Sequence, residues 1–229
     1  MEELIKKEND IFDILQKFID AKLDFIIVGG YAVSAFKHRF SVDADIVVQS
    51  KDLDKFEIIT KKENFEKIYE KEIENIYSSR FLRYEKDTAS VDFLIDAVSA
   101  RATSASFSYK LLLDNSVEKK IIGIEKEISA KVPVKEMMIA MKIHSGRLTA
   151  FRDIAALAKG TDLEKIKKFS FIGDLKTLKV HLKELGKAVR NRNFVDSFKG
   201  VFIEKKFDID INQVEQIAKM EDNIHGLFK

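Results

Sequence analysis

The sequence contains no cysteine and no tryptophan, and only one proline, Pro133, in 229 residues. Without cysteine there is neither a disulfide nor a thiolate metal site, and the absence fits an intracellular, cytoplasmic protein. With a single proline there are no proline-rich linkers. No apolar run approaches the ~20 residues that a membrane-spanning helix needs. The first residues, Met1-Glu2-Glu3-Leu4-Ile5, lack a basic start followed by an apolar stretch, so no signal peptide is expected. What is present is a globular balance, with 45% hydrophobic and 34% charged residues. That much apolar side chain can bury a sizeable core, and it excludes a disordered chain. The 18 phenylalanines are expected to fill much of that core in place of tryptophan.

Periodicity outlines the elements. Ile11, Ile14, Leu15 and Phe18 recur at helical spacing and predict an amphipathic helix over 3–22. Asp24 to Val28 is a short β-branched run that stops at Gly29-Gly30, as a buried strand does before a tight turn. A short helix over 31–37 and a strand over 45–48 follow. Alternating charges over 51–72 predict a helix with a solvated face. Strands over 79–86 and 90–96 are placed to pair, and 118–131 reads as a hairpin. Beyond Pro133, placed in the first helical turn where its missing N–H costs nothing, the pattern is helical through His144 and again over 149–159. The order predicts an α+β fold: a small mixed β-sheet core with flanking helices over 1–132, then a helical C-terminal part over 133–229.

Two aspartates, Asp43 and Asp45, stand two apart at a strand start, so both side chains share one face. Hard divalent ions such as Mg²⁺ or Mn²⁺ take carboxylate oxygens and substrate phosphates together. Alone the pair is a weak signal and reads more readily as a strand-start turn with solvated aspartates. Upstream, Val28-Gly29-Gly30-Tyr31 runs from strand through glycines into helix, a turn whose backbone N–H groups can approach phosphate. Downstream, Asp92 sits inside the apolar run Val91-Asp92-Phe93-Leu94, where a carboxylate is costly unless paired or bound to a metal. Asp96 repeats the same face. If the two strands are neighbours, Asp92 joins Asp43 and Asp45, and three carboxylates can hold two metals about 3.5–4 Å apart.

Gly29-Gly30, then Arg39-x-Ser41-x-Asp43-x-Asp45, then Val91-Asp92-Phe93-Leu94 resemble the signature of nucleotidyltransferases of the DNA polymerase beta superfamily. Within it the pattern is most similar to the AbiEii-like group of toxin–antitoxin nucleotidyltransferases. Lys142, followed by Arg147 and Arg152-Asp153, extends the resemblance, which covers about residues 23–160. It departs at Ala156, where the group often has a second aspartate, and at Ala44, where a larger aliphatic residue is more usual. The resemblance implies a two-metal nucleotidyltransferase that moves a nucleotide from an NTP to an acceptor hydroxyl. Asp43, Asp45 and Asp92 would hold the metals, and Gly29, Gly30, Arg39 and Ser41 would contact the nucleotide. Lys142 would act on the triphosphate, with Asp153 orienting it. tRNA is a known kind of acceptor in that group, a protein hydroxyl is the alternative, and a toxin would have an antitoxin partner. His38 and His144 have no nucleophile beside them and read as solvated or core histidines.

Residues 165–206 carry twelve Lys/Arg against four Asp/Glu, with Phe169, Phe171, Phe194, Phe198 and Phe202 interleaved. This reads equally as an RNA-binding surface and as a solvated basic face over a phenylalanine core. The competing functional reading for the chain is a catalytically silent nucleotide- or RNA-binding module on the same fold.

Overall fold

Apolar spacing along the first helix decides where the sheet lies. In the computed structural model, which describes residues 2–73, 79–199, 201–202 and 208–224, α1 spans Glu2–Asp20 and buries Ile11, Phe12, Ile14, Leu15 and Phe18. It leads into β1 (Phe25–Val28), α2 (Gly29–Ser34), β2 (Ala44–Val48) and α3 (Leu53–Lys62). Then come β3 (Glu66–Ile73), β4 (Ser79–Lys86), β5 (Ala89–Ile95), β6 (Ala97–Ala100), β7 (Ala105–Ser108) and α4 (Tyr109–Asp114). The hairpin β8 (Ser116–Ile122) and β9 (Glu127–Pro133) precedes α5 (Lys135–Ser145), α6 (Leu148–Leu157), α7 (Leu163–Ser170), α8 (Leu175–Arg190), α9 (Ile211–Lys219) and α10 (Glu221–Ile224). The fold is α+β, as the order of sequence patterns predicts.

The chain divides into two compact units, residues 1–98 with 107–133 and residues 99–106 with 134–229. The first contains a mixed five-stranded sheet in the order β1-β2-β5-β4-β3, with β2 and β5 parallel and the other neighbours antiparallel. One face of it is aromatic. Phe18 of α1 meets Phe25, Phe56 and Phe93 edge-on at 4.9–6.0 Å, and Tyr84 lies 4.8 Å from Phe93. Such ring pairs each add about 0.5–1.5 kcal/mol beyond the area they bury. Strand alternation therefore sends Phe93 towards α1 and α3 and Asp92 to the opposite face.

Two expectations are corrected here. The helix expected over 51–72 ends at Lys62, where Asn64 adopts a left-handed φ of 61° and Phe65 turns inward. Asn in that conformation closes a helix. The charged residues that follow form β3, an edge strand, where charge guards unpaired backbone. Pro133 is not in the first helical turn. It ends β9 opposite Ser116, at an edge that does not need its N–H, and α5 starts two residues later.

The second unit is helical. Phe194, Phe198 and Phe202 pack on one another with centroids 5.3–5.4 Å apart and are buried, so these rings are core. Phe169 and Phe171 are half-buried. Among the described residues no helix is long and apolar enough to cross a membrane.

Candidate active site

Strand register builds the site. In the parallel pair β2–β5, Asp45 lies directly opposite Asp92, and in the antiparallel pair β4–β5, Arg83 lies directly opposite Asp92. Partners in register share a face, so Arg83, Asp92 and Asp45 form one row across three strands. Asp43 precedes Asp45 by two residues. Val28, the last residue of β1, is opposite Asp45, so the glycine turn begins beside that carboxylate.

Both glycines are there for space. Gly29 has φ +65°, and a Cβ built on it would stand 1.9 Å from the Asp45 Oδ2. A Cβ on Gly30 would stand 2.1 Å from the Ser41 Oγ and 3.6 Å from the Arg39 Nη2. Gly29 therefore combines a left-handed backbone with a close approach by the Asp45 carboxylate, two demands only glycine meets. Ser41 is buried; its hydroxyl donates to the Asp43 carbonyl at 3.1 Å, while its own carbonyl accepts from the Tyr31 hydroxyl at 3.3 Å. Burial raises the Tyr31 phenol well above its ordinary value, so it stays a neutral donor. Ser41 thus braces the loop that presents Asp43. Arg39 donates to the Phe40 carbonyl at 3.2 Å.

Arg83 is the site residue that sequence reasoning missed. Its Nε donates to Asp92 Oδ1 at 2.7 Å and its Nη2 to Asp92 Oδ2 at 2.6 Å, a bidentate pair. The same Nη2 lies 3.5 Å from Asp43 Oδ2. Asp92 is only 3% exposed. Burial pushes its carboxyl above the ordinary value, against the pull of the guanidinium, and the same hydrogen bonds hold Arg83 firmly protonated. In sequence Arg83 is one cation among Arg80, Arg83 and Lys86, and only its strand parity sets it apart.

Asp96 is not part of this row. It follows β5 with φ 64°, its backbone N–H donates to the Val48 carbonyl, and its carboxylate accepts from the Ser50 N–H at 2.9 Å. It ties down a chain turn at the far end of the strand.

Among the described residues no group of three or more His, Cys, Asp or Glu side chains is gathered as a metal-holding cluster. Asp92 and Asp43 turn to Arg83 instead. The donor set still fits a hard divalent ion, because it offers carboxylate oxygen on one strand face and already takes a cation, the guanidinium.

In the second unit, Lys142 of α5 and Asp153 of α6 pair at 2.7 Å, with Asp153 buried. His144 is fully buried, one ring nitrogen 2.8 Å from the Thr103 hydroxyl and the other 3.0 Å from the Ser170 carbonyl, which can only accept. It is a core histidine. Burial lowers its pKa from 6.5 to about 4. As pH falls from 6.5 towards 4, the unfolded chain binds a proton that the folded chain refuses, so stability is lost across that window. Urea unfolding at pH 7 and pH 5 is expected to show the native protein losing about 2 kcal/mol more than His144→Gln between the two.

No family model matches the chain, and no curated protein matches it. Among solved structures it is similar to the antibiotic-resistance factor ANT(2'')-Ia. The solution structure of that protein aligns with a TM-score of 0.51 at 15% identity, covering 71% of this chain and 88% of that one. Its crystal structure in complex with adenylyl-2''-tobramycin aligns with a TM-score of 0.52 at 12% identity, covering 74% of this chain and 95% of that one. At such identities the likeness is one of fold, and this chain has the α+β nucleotidyltransferase fold that ANT(2'')-Ia shares.

Proposed function

We propose that the chain is a metal-dependent nucleotidyltransferase that moves an NMP from an NTP to an acceptor hydroxyl. The observation that carries this reading is the register of Asp45 opposite Asp92, with Asp43 on the same face and Gly29 against Asp45. Asp43, Asp45 and Asp92 are the residues that would hold Mg²⁺ or Mn²⁺. Bound there, a divalent ion supplies Lewis acidity and offsets charge on the phosphates. The glycine turn sets bare backbone directly against the Asp45 carboxylate, and Arg39 offers a planar fork that matches a phosphate. The acceptor hydroxyl gives up its proton to a site carboxylate or to solvent as its oxygen bonds to the α-phosphorus, the bond from that phosphorus to the β-phosphate bridging oxygen breaks, and pyrophosphate leaves. The chain contributes chiefly position and fixed charge.

Residues 133–229 carry Lys142 and Asp153, to which the resemblance gives the triphosphate and orienting roles, and a basic surface. Lys165, Lys168, Lys176, Lys183, Lys187 and Arg190 are exposed on α7 and α8, which supports a polyanionic acceptor such as RNA, tRNA in the first place. Lys205 and Lys206 of the same basic stretch lie outside the described residues. Membership of the AbiEii-like toxin group, with an antitoxin partner, belongs to this proposal and rests on the motifs. A second reading takes its support from the adenylylated tobramycin bound to ANT(2'')-Ia: a small polyhydroxylated amine as the acceptor.

The test is incubation of the purified protein with each labelled NTP, Mg²⁺ or Mn²⁺, and in separate arms total RNA, cellular protein and tobramycin. Label is expected in RNA with the native chain and not with Asp43→Ala/Asp45→Ala. Label in tobramycin alone would select the second reading. NTP binding without transfer in any arm would make the chain a silent binding module.

A further inference from the structure

The bidentate pair between Arg83 and Asp92 poses a problem for the site as proposed. A divalent ion at Asp43, Asp45 and Asp92 needs carboxylate lone pairs, and Arg83 occupies both oxygens of Asp92 at 2.6 and 2.7 Å while reaching Asp43 at 3.5 Å. Two cations cannot share those oxygens without strong repulsion, since like charges at 4 Å cost about 4 kcal/mol even at an effective dielectric of 20. Asp92 is 3% exposed, so a bare carboxylate there is unfavourable in the absence of metal. The Arg83 side chain is 34% exposed, which leaves its guanidinium a route to solvent from the strand.

Resting on the metal-dependent reading above, we infer that Arg83 is a resident counter-cation of the carboxylate site, which holds Asp92 and Asp43 in place while no metal is bound and which the divalent ion must displace. Arg83 is then a positioning residue that sets the metal affinity of the free protein. It holds the Asp92 and Asp43 side chains on one face of the sheet, and it raises the metal concentration at which the site fills. Its strand position does the selecting: Arg80, on the same strand, pairs instead with Glu70 of β3.

The readout is Mn²⁺ binding followed by electron paramagnetic resonance, without nucleotide and without turnover. Arg83→Gln is expected to bind Mn²⁺ about tenfold more tightly than the native chain, because a neighbouring opposite charge shifts a carboxylate's affinity for a cation by about that factor or more. In EDTA the same variant is expected to melt at a lower temperature than the native chain and to regain most of the difference on adding Mn²⁺. Arg83→Lys, which keeps the charge and loses the fork, should fall between the two in affinity, and it decides the matter if Arg83→Gln does not fold. Equal or weaker Mn²⁺ binding by the variants, with the native chain binding Mn²⁺ at Asp45, overturns the inference and leaves the metal-dependent reading standing. No Mn²⁺ binding that Asp45→Asn abolishes, in either native or variant protein, overturns both.

Discussion

Asp45→Asn is expected to lower nucleotidyl transfer by about a thousandfold or more while leaving the fold intact, on the scale by which electrostatic site groups control rate. The substitution keeps the shape of the side chain and removes one negative charge. Asp45 is half-buried at the edge of the site face, so an amide is tolerated there. What the amide cannot do is complete the hard, anionic donor set with Asp92, its partner in register, and with Asp43. Circular dichroism and urea unfolding check the fold, and single-turnover incorporation of labelled NMP checks the rate. Activity retained within tenfold, in a folded variant, would remove Asp45 from the metal site and with it the central claim of the proposed mechanism.

Gly29→Ala is expected to damage the site by a different route, with a loss of about a hundredfold in transfer and about 1–2 kcal/mol in stability. One methyl group is enough because it arrives 1.9 Å from the Asp45 Oδ2, so either the turn or the carboxylate must move. The backbone adds a cost of its own, since φ is +65°. Gly160→Ala separates the two contributions. Gly160 has φ +70°, yet a Cβ there meets nothing within 4 Å. It should lose about 1 kcal/mol of stability and almost no activity. Equal activity losses in the two variants would trace the Gly29 effect to strain rather than to the collision with Asp45.

Much of the site was legible from local chemistry. The two-residue spacing of Asp43 and Asp45 puts both on one face of any strand, whatever else the chain does. Asp92 stood out because Val91, Phe93 and Leu94 surround a carboxylate with apolar neighbours. The amphipathic spacing of Ile11, Ile14, Leu15 and Phe18 located the helix that covers the opposite face of the sheet. Where reading failed, local patterns were ambiguous. Alternating charges after Asn64 look alike on a solvated helix and on a charged edge strand, and pairing with β4 decides for the strand. Pro133 suits a helix start as well as a strand end, and the partner Ser116 decides again.

Residue types, their faces along each strand and the amphipathic helices are local properties, because they follow from backbone periodicity within a few residues. It takes the folded sheet to place Asp45, Asp92 and Arg83 in one row, to leave Gly29 no room for a methyl group, and to give Asp96 to a turn instead of the site. Register between strands is set by side-chain packing across the sheet, among them Ile46, Phe93 and Leu82 on the buried face, and no local signal encodes such a pairing between segments far apart in the chain.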